Sequence, residues 1–269
     1  MTRVALPRAS KLAAIMRVGV AAAVAYRGEF FIWILTTNMP LVMLALWTRV
    51  AADGPVGRFN ARGFASYFLS VLLVRFLSGS WVVWELTFAI RDGSLSSRLL
   101  RPLHPFVHYA ADNLAQIPLR LAVAAPIAVA LFAVSGTGGL SHDAVQWALV
   151  PLTIAGAWAL IYSAMLAVAS LAFFFDSALS VWELWMAAGY VLSGYLVPLE
   201  LLPPTARAVS AWLPWRYTLG LPVETMLGLV DRASTLRGLA VQWAWAALFL
   251  TLALTLWKRG IRRYESFGG

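Results

Sequence analysis

The sequence predicts an all-α polytopic membrane protein with six helices crossing the bilayer, and three observations carry that reading. Hydrophobic residues fill 61% of the 269 positions. Charged residues fill only 12%, about half the share of an ordinary soluble domain. The apolar residues are also gathered into runs of about 20, enough to cross roughly 30 Å of hydrocarbon. Short stretches rich in Pro, Gly and charge separate the runs. A net charge of +9 in such a chain records topology rather than affinity for nucleic acid. The absence of Cys excludes disulfides and thiolate metal sites.

Residues 1–28 predict an amphipathic helix lying in the cytoplasmic interface. Leu12, Ile15, Met16, Gly19, Ala23 and Tyr26 share one side, and Arg3, Arg8, Lys11, Arg17 and Arg27 reach for headgroups. Arg17 interrupts the apolar run and argues against a cleaved leader. Residues 29–269 form one transmembrane domain. Its first span is expected at 29–50, kinked at Pro40 and anchored by Trp33 and Trp47. The second is expected at 64–84 and closed by Trp81 and Trp84.

Residues 85–105 (ELTFAIRDGSLSSRLLRPLHP) set Arg91, Asp92, Arg98 and Arg101 among leucines at helical spacing. A polar amphipathic helix between two spans is more than a tether, and it predicts a contact for a cytoplasmic partner. The third span is expected at 107–134 and the fourth at 144–173, where Ala155, Ala159, Ser163 and Ala167 form a small-residue stripe suited to bundle packing. A turn at 174–178 leads to the fifth span, 179–197. Residues 198–228 are too broken by Pro198, Pro203, Pro204, Pro214 and Pro222 to span, yet too apolar for a solvated loop. Short helices dipping into the outer leaflet are expected there. The sixth span is expected at 236–257, with a cytoplasmic tail at 258–269.

Lys and Arg set the orientation. The N-terminal segment, the 85–105 link and the tail hold twelve, and the opposite loops hold Arg49, Arg58, Arg62, Arg207, Arg216, Arg232 and Arg237. The bias places both termini and the link in the cytoplasm, which an even number of spans satisfies. Inside the spans lie Arg75, Glu183 and a polar stripe of Asp112, Gln116 and Arg120 at four-residue spacing. Mid-bilayer arginine costs at least about 2.5 kcal/mol, so such residues face a bundle interior or a wet cavity. They are candidates for a translocation path taking an amphiphile with an acidic group; internal ion pairing is the alternative.

No phosphate-cradling Gly-Lys-Ser/Thr occurs, since the only lysines are Lys11 and Lys258. No zincin or Gly-x-Ser-x-Gly motif is present either. His104 and His108 stand four apart without a third ligand, which favours a headgroup-level structural role over metal binding.

Two stretches, in this order and spacing, carry a family resemblance. They are Arg91-Asp92-Gly93-Ser94-Leu95 running to Leu99-Leu100-Arg101-Pro102-Leu103, and Ser193-Gly194-Tyr195-Leu196-Val197-Pro198-Leu199-Glu200 running to Leu213-Pro214. With the N-terminal helix and six spans they resemble the permease subunits of ABC-2 type transporters over nearly the whole chain. The resemblance implies a non-enzymatic transport subunit in the inner membrane, paired with a second permease (a copy or a different chain) on two ATP-binding subunits that hold ATP and Mg. It implies ATPase coupling through Glu85, Arg91, Asp92, Gly93, Leu95, Arg98, Leu99, Arg101 and Pro102. An outer gate would involve Pro198, Glu200, Pro203, Pro204 and Pro214, and the cargo would be a hydrophobic or amphiphilic compound. A membrane-embedded lipid-modifying enzyme is a competing class, but the spans lack converging acid, base or metal residues. A channel or assembly scaffold without energy input is another.

Overall fold

The structure is a computed structural model that describes residues 39–136 and 139–264, and its regular elements are helices. The interfacial helix expected at 1–28 and the first part of the first span lie outside the described residues. Eleven α-helices follow in the described residues: α1 (Met39–Val50), α2 (Ala61–Ser78), α3 (Val82–Arg91), α4 (Leu95–Leu99), α5 (Pro105–Leu114), α6 (Ile117–Ser135), α7 (Ala144–Ala169), α8 (Ala178–Leu192), α9 (Pro204–Ser210), α10 (Pro214–Met226) and α11 (Arg232–Gly260). Short 3-10 turns at Ser170–Phe173 and Leu199–Leu201 complete them.

Most helix starts follow from local chemistry. The side chains of Asn60, Asp143 and Asp231 accept backbone N–H bonds from Gly63 (2.8 Å), Val145 (2.9 Å) and Ser234 (3.1 Å), capping α2, α7 and α11. Prolines open α5, α9 and α10, where the missing N–H costs nothing.

Four segments are long and apolar enough to cross a bilayer: Ala61–Arg91, Pro105–Ser135, Ala144–Phe173 and Arg232–Gly260. The fourth expected span is reproduced at both ends, and the sixth is longer than expected. The expected first and fifth spans correspond to shorter apolar helices, α1 and α8, so the described residues show four such segments rather than six. The fifth stops early for a local reason. Gly194 takes a left-handed φ of 87°, and Tyr67 Oη donates to its carbonyl at 2.8 Å, turning the chain out of the helix.

The second expected span also differs. It runs on to Arg91 but is interrupted at 79–81, where α2 ends in an extended Gly79 and α3 restarts. Residues 85–91, expected in the polar link, therefore complete this helical segment, and Leu86, Thr87, Ala89 and Ile90 are buried in it. Gly93, at φ 80°, ends that run, which leaves α4 as a five-residue helix.

α7 is the central strut and packs against α2, α3, α8, α10 and α11. Of the expected small-residue stripe, Ser163 and Ala167 are buried and Ala159 packs in the cluster of Ala246, while Ala155 is exposed; the close approach to α11 is at Gly156. A Cβ at Gly156 would collide with the Gln242 side-chain amide. Gln242 Nε2 donates to the carbonyls of Thr153 (3.0 Å) and Tyr217 (2.7 Å), tying α7, α10 and α11 together.

A small cluster of Leu160, Tyr217, Leu221 and Ala246 joins α7, α10 and α11, and the rest of the core divides into two large clusters. One gathers Val83, Leu86, Leu95, Phe106, Leu166 and Trp257; the other gathers Phe64, Tyr67, Phe68, Leu131, Val223 and Met226. The first marks the link end, where His104, Phe106 and Phe173 meet Trp257. The second marks the opposite end, which carries residues 198–228 and is called the cap end, where Arg58 meets Glu200 and Asp143 meets Arg232.

Candidate functional site

The interruption between α2 and α3 positions the most distinctive part of the molecule. Ending a helix inside an apolar segment leaves carbonyls without partners. Arg120, on α6 and 3% exposed, donates from Nη1 to the carbonyl of Gly79 and from Nη2 to Gln116 Oε1 at 3.2 Å. Glu85 lies within electrostatic reach of Arg120, Arg98 and Asp112. Arg120 is thus fixed to the broken backbone.

The same break opens on a cavity of about 160 Å³. Ser78, Gly79 and Ser80 form part of its wall, Arg75 enters from α2, and Trp81, Trp84, Trp182, Trp185 and Trp215 supply flat apolar surfaces. The rings form a continuous set. Trp81 and Trp84 lie 4.8 Å apart, Trp182 and Trp185 are stacked at 5.9 Å, and Trp185 meets Trp215 at 4.8 Å. The Arg75 guanidinium sits 4.8 Å over the Tyr195 ring. Its Nε is buried without an acceptor, and among the described residues no carboxylate pairs with it. Glu183 is on the exposed side of α8 and does not neutralise it.

At the link end, the segment after Arg91 is pinned at two points. Leu95 is fully buried, and Arg98 lies 4.2 Å over the Tyr109 ring while reaching Asp112 Oδ2 at 3.4 Å. Asp112 therefore belongs to the link and does not share a site with Arg75. Asp92 accepts from the Ser94 N–H at 2.8 Å, and hydrogen bonding from Ser94 holds its carboxyl below the usual range. His104 Nδ1 accepts from the Phe106 N–H at 3.2 Å, and burial pushes its imidazole below the ordinary value. Between these anchors Leu99, Leu100 and Leu103 are exposed, Leu100 by 89%, and the exposed Arg91, Arg101 and Pro102 flank them. An apolar patch rimmed by cations suits a protein partner.

At the cap end, Pro198 precedes the short 3-10 turn, Pro203 precedes α9, and Pro204 and Pro214 begin α9 and α10. Glu200 pairs with Arg58 at 3.5 Å, joining this region to the loop before α2. Arg216 and Glu224 form a tighter pair at 2.8 Å inside α10.

Sequence reasoning missed the break and the use of the tryptophans. Gly79-Ser80 is a turn signal, but the apolar residues on either side of it conceal the interruption. Trp81 and Trp84 read as the close of the second span, yet both line the cavity.

Comparison with family models matches residues 31–268 to the description "ABC-2 family transporter protein". No curated protein matches the chain.

Proposed function

The chain belongs to the ABC-2 family of transporter membrane proteins, and from that premise we propose that it is the permease subunit of an exporter for a hydrophobic or amphiphilic compound such as a drug, an antibiotic or a lipid-like molecule. It works as a pair of permeases, identical or different, on two ATP-binding subunits that carry the ATP and Mg. It lies in the inner membrane with both termini and the 85–105 link in the cytoplasm. The α9–α10 region and its prolines act as an outer gate. The observation that carries this reading is the anchored, outward-facing patch of Leu99, Leu100, Leu103 and Arg101.

The mechanism follows from what the link touches. ATP-driven closure of the partner pushes on 91–102. Leu95 and Arg98 pass the push to α5 through Tyr109 and Asp112. Arg120, bonded to Gly79 and within reach of Glu85, passes it to the break that lines the cavity. The spans holding α1, α2 and α8 then shift, and the cap opens.

The test is co-isolation. A tagged chain purified from its own membranes is expected to bring down a soluble ATPase whose hydrolysis is measurable in the eluate. Leu100→Asp together with Leu103→Asp is expected to remove that ATPase while the chain still inserts. A cysteine placed at Ser96 is expected to resist an impermeant thiol reagent on intact cells. Labelling there, or an unchanged ATPase in the double variant, refutes the proposal.

A further inference from the structure

The cavity at the α2–α3 break combines a cation that pairs with no carboxylate among the described residues with flat aromatic walls, which a general apolar passage does not require. Resting on the permease reading for passage of cargo, we infer that this cavity binds a compound presenting one aromatic ring that carries an anionic group, an aromatic acid.

Charge is the first argument. Arg75 is half-buried, and a guanidinium even partly withdrawn from water is costly unless paired. Among the described residues Arg75 has only the face of Tyr195, 4.8 Å away, and its Nε is buried without an acceptor. Glu183, on α8 beside the cavity-lining Trp182, is exposed. The N-terminus of α3, a ten-residue helix, begins at the same cavity through Ser80 and Trp81. Ser80 Oγ accepts from the Val82 N–H at 3.4 Å and Glu85 lies in the first turn of α3, so the helix dipole there is partly offset and Arg75 carries the charge. Arg75 favours an anion and is not used in holding the break, which is the task of Arg120.

Shape is the second. Trp182 and Trp185 present parallel faces, with 13° between planes, and Trp215 extends the surface from α10. Such walls reward stacked or edge-on rings beyond simple burial. The volume of about 160 Å³ is close to the roughly 150 Å³ that admits a benzene-sized guest. One ring fits, with its acid toward Arg75. Larger ligands extend past Trp81 and Tyr190, which line the cavity and are themselves exposed.

Backbone is the third. Non-helical backbone at membrane depth persists where it is buried in protein or borders a cavity, and broken helices of transporters place substrate sites at such points. Here the break and Arg75 share one wall.

The test uses the purified full chain in lipid nanodiscs without nucleotide, and reads tryptophan quenching by bromine. 4-Bromobenzoate is expected to quench saturably. The neutral 4-bromobenzamide and the aliphatic 6-bromohexanoate are each expected to bind at least about tenfold more weakly. Arg75→Gln is expected to lower 4-bromobenzoate affinity to that of the amide, with Arg75→Lys between the two. Equal quenching by the amide or the hexanoate, or unchanged affinity in Arg75→Gln, overturns the inference. The amide comparison needs no variant, so it decides even where Arg75→Gln does not fold. Binding is read without the ATPase, so failure here leaves the co-isolation result standing, and the reverse holds too.

Discussion

Arg75 and Arg120 both lie inside apolar segments and each buries an Nε without an acceptor, but the fold uses the rest of the two guanidinium groups in opposite ways. Arg120 is 3% exposed, donates to the carbonyl of Gly79 and to Gln116, and lies within reach of the Glu85 charge. Arg75 is half-buried, faces a cavity, and has an aromatic face but no carboxylate among the described residues. The difference teaches that a charge inside a span has two distinct uses. One completes the hydrogen bonding of an interrupted helix; the other is left for something that comes and goes. Only the first is recovered as stability in the unliganded protein.

The largest effect is expected where that first use is removed. Arg120→Leu deletes a charged donor and leaves the Gly79 carbonyl unsatisfied, a loss of roughly 1.5–3 kcal/mol for a buried bond to a charged group. The loss of charge in an apolar segment offsets part of this. A net fall in melting temperature of several degrees in detergent is expected, with lower membrane yield. A variant as stable as the parent shows that the break does not need its arginine, and the contrast disappears.

Arg75→Gln is expected to do the reverse. Its stability should change by less than about 1 kcal/mol, because no hydrogen bond or ion pair within the described residues is lost with it. Export of the cargo should fall, while assembly with the ATPase persists. The comparison fails if the two substitutions destabilise equally, since both arginines are then structural.

Much of the fold was legible because helix ends are written in short-range chemistry. Asp143 caps the fourth span, the turn after Phe173 closes it, and Pro105 opens the third. The break at 79–81 was not, because hydropathy averages over two small residues flanked by Val74, Phe76, Val82 and Val83. By sequence Arg75 and Arg120 are the same residue in similar surroundings. Their separation depends on which one the fold brings to the Gly79 carbonyl, a contact across 41 positions. Asp112 shows the same limit. Its four-residue spacing to Gln116 and Arg120 suggested one polar stripe, but its partner is Arg98, fourteen positions earlier across a turn. Periodicity reads a helix face and is blind once the chain bends, as it does between α5 and α6.

A third arginine marks the exposed limit and the smallest effect. Arg232 is 61% exposed by its side chain and holds Asp143 through two bonds, its Nη2 donating to Oδ1 at 2.8 Å. Hydrogen bonding from Arg232 keeps the Asp143 carboxyl below its usual range. A depressed folded-state value means that the clamp stabilises the fold above the ordinary carboxylate pKa and is lost as pH falls through the lowered value. Melting curves recorded from about pH 7 to about pH 3 are expected to show Asp143→Asn below the parent at neutral pH, the two converging in acid. Asp143 also caps α7 by accepting from the Val145 N–H, a bond that asparagine retains, so the converging part reports the ion pair. High salt should narrow the same gap, because an exposed pair is screened. A gap that neither acid nor salt closes assigns the stabilisation to the cap alone, and removes Arg232 from the series that begins with Arg120.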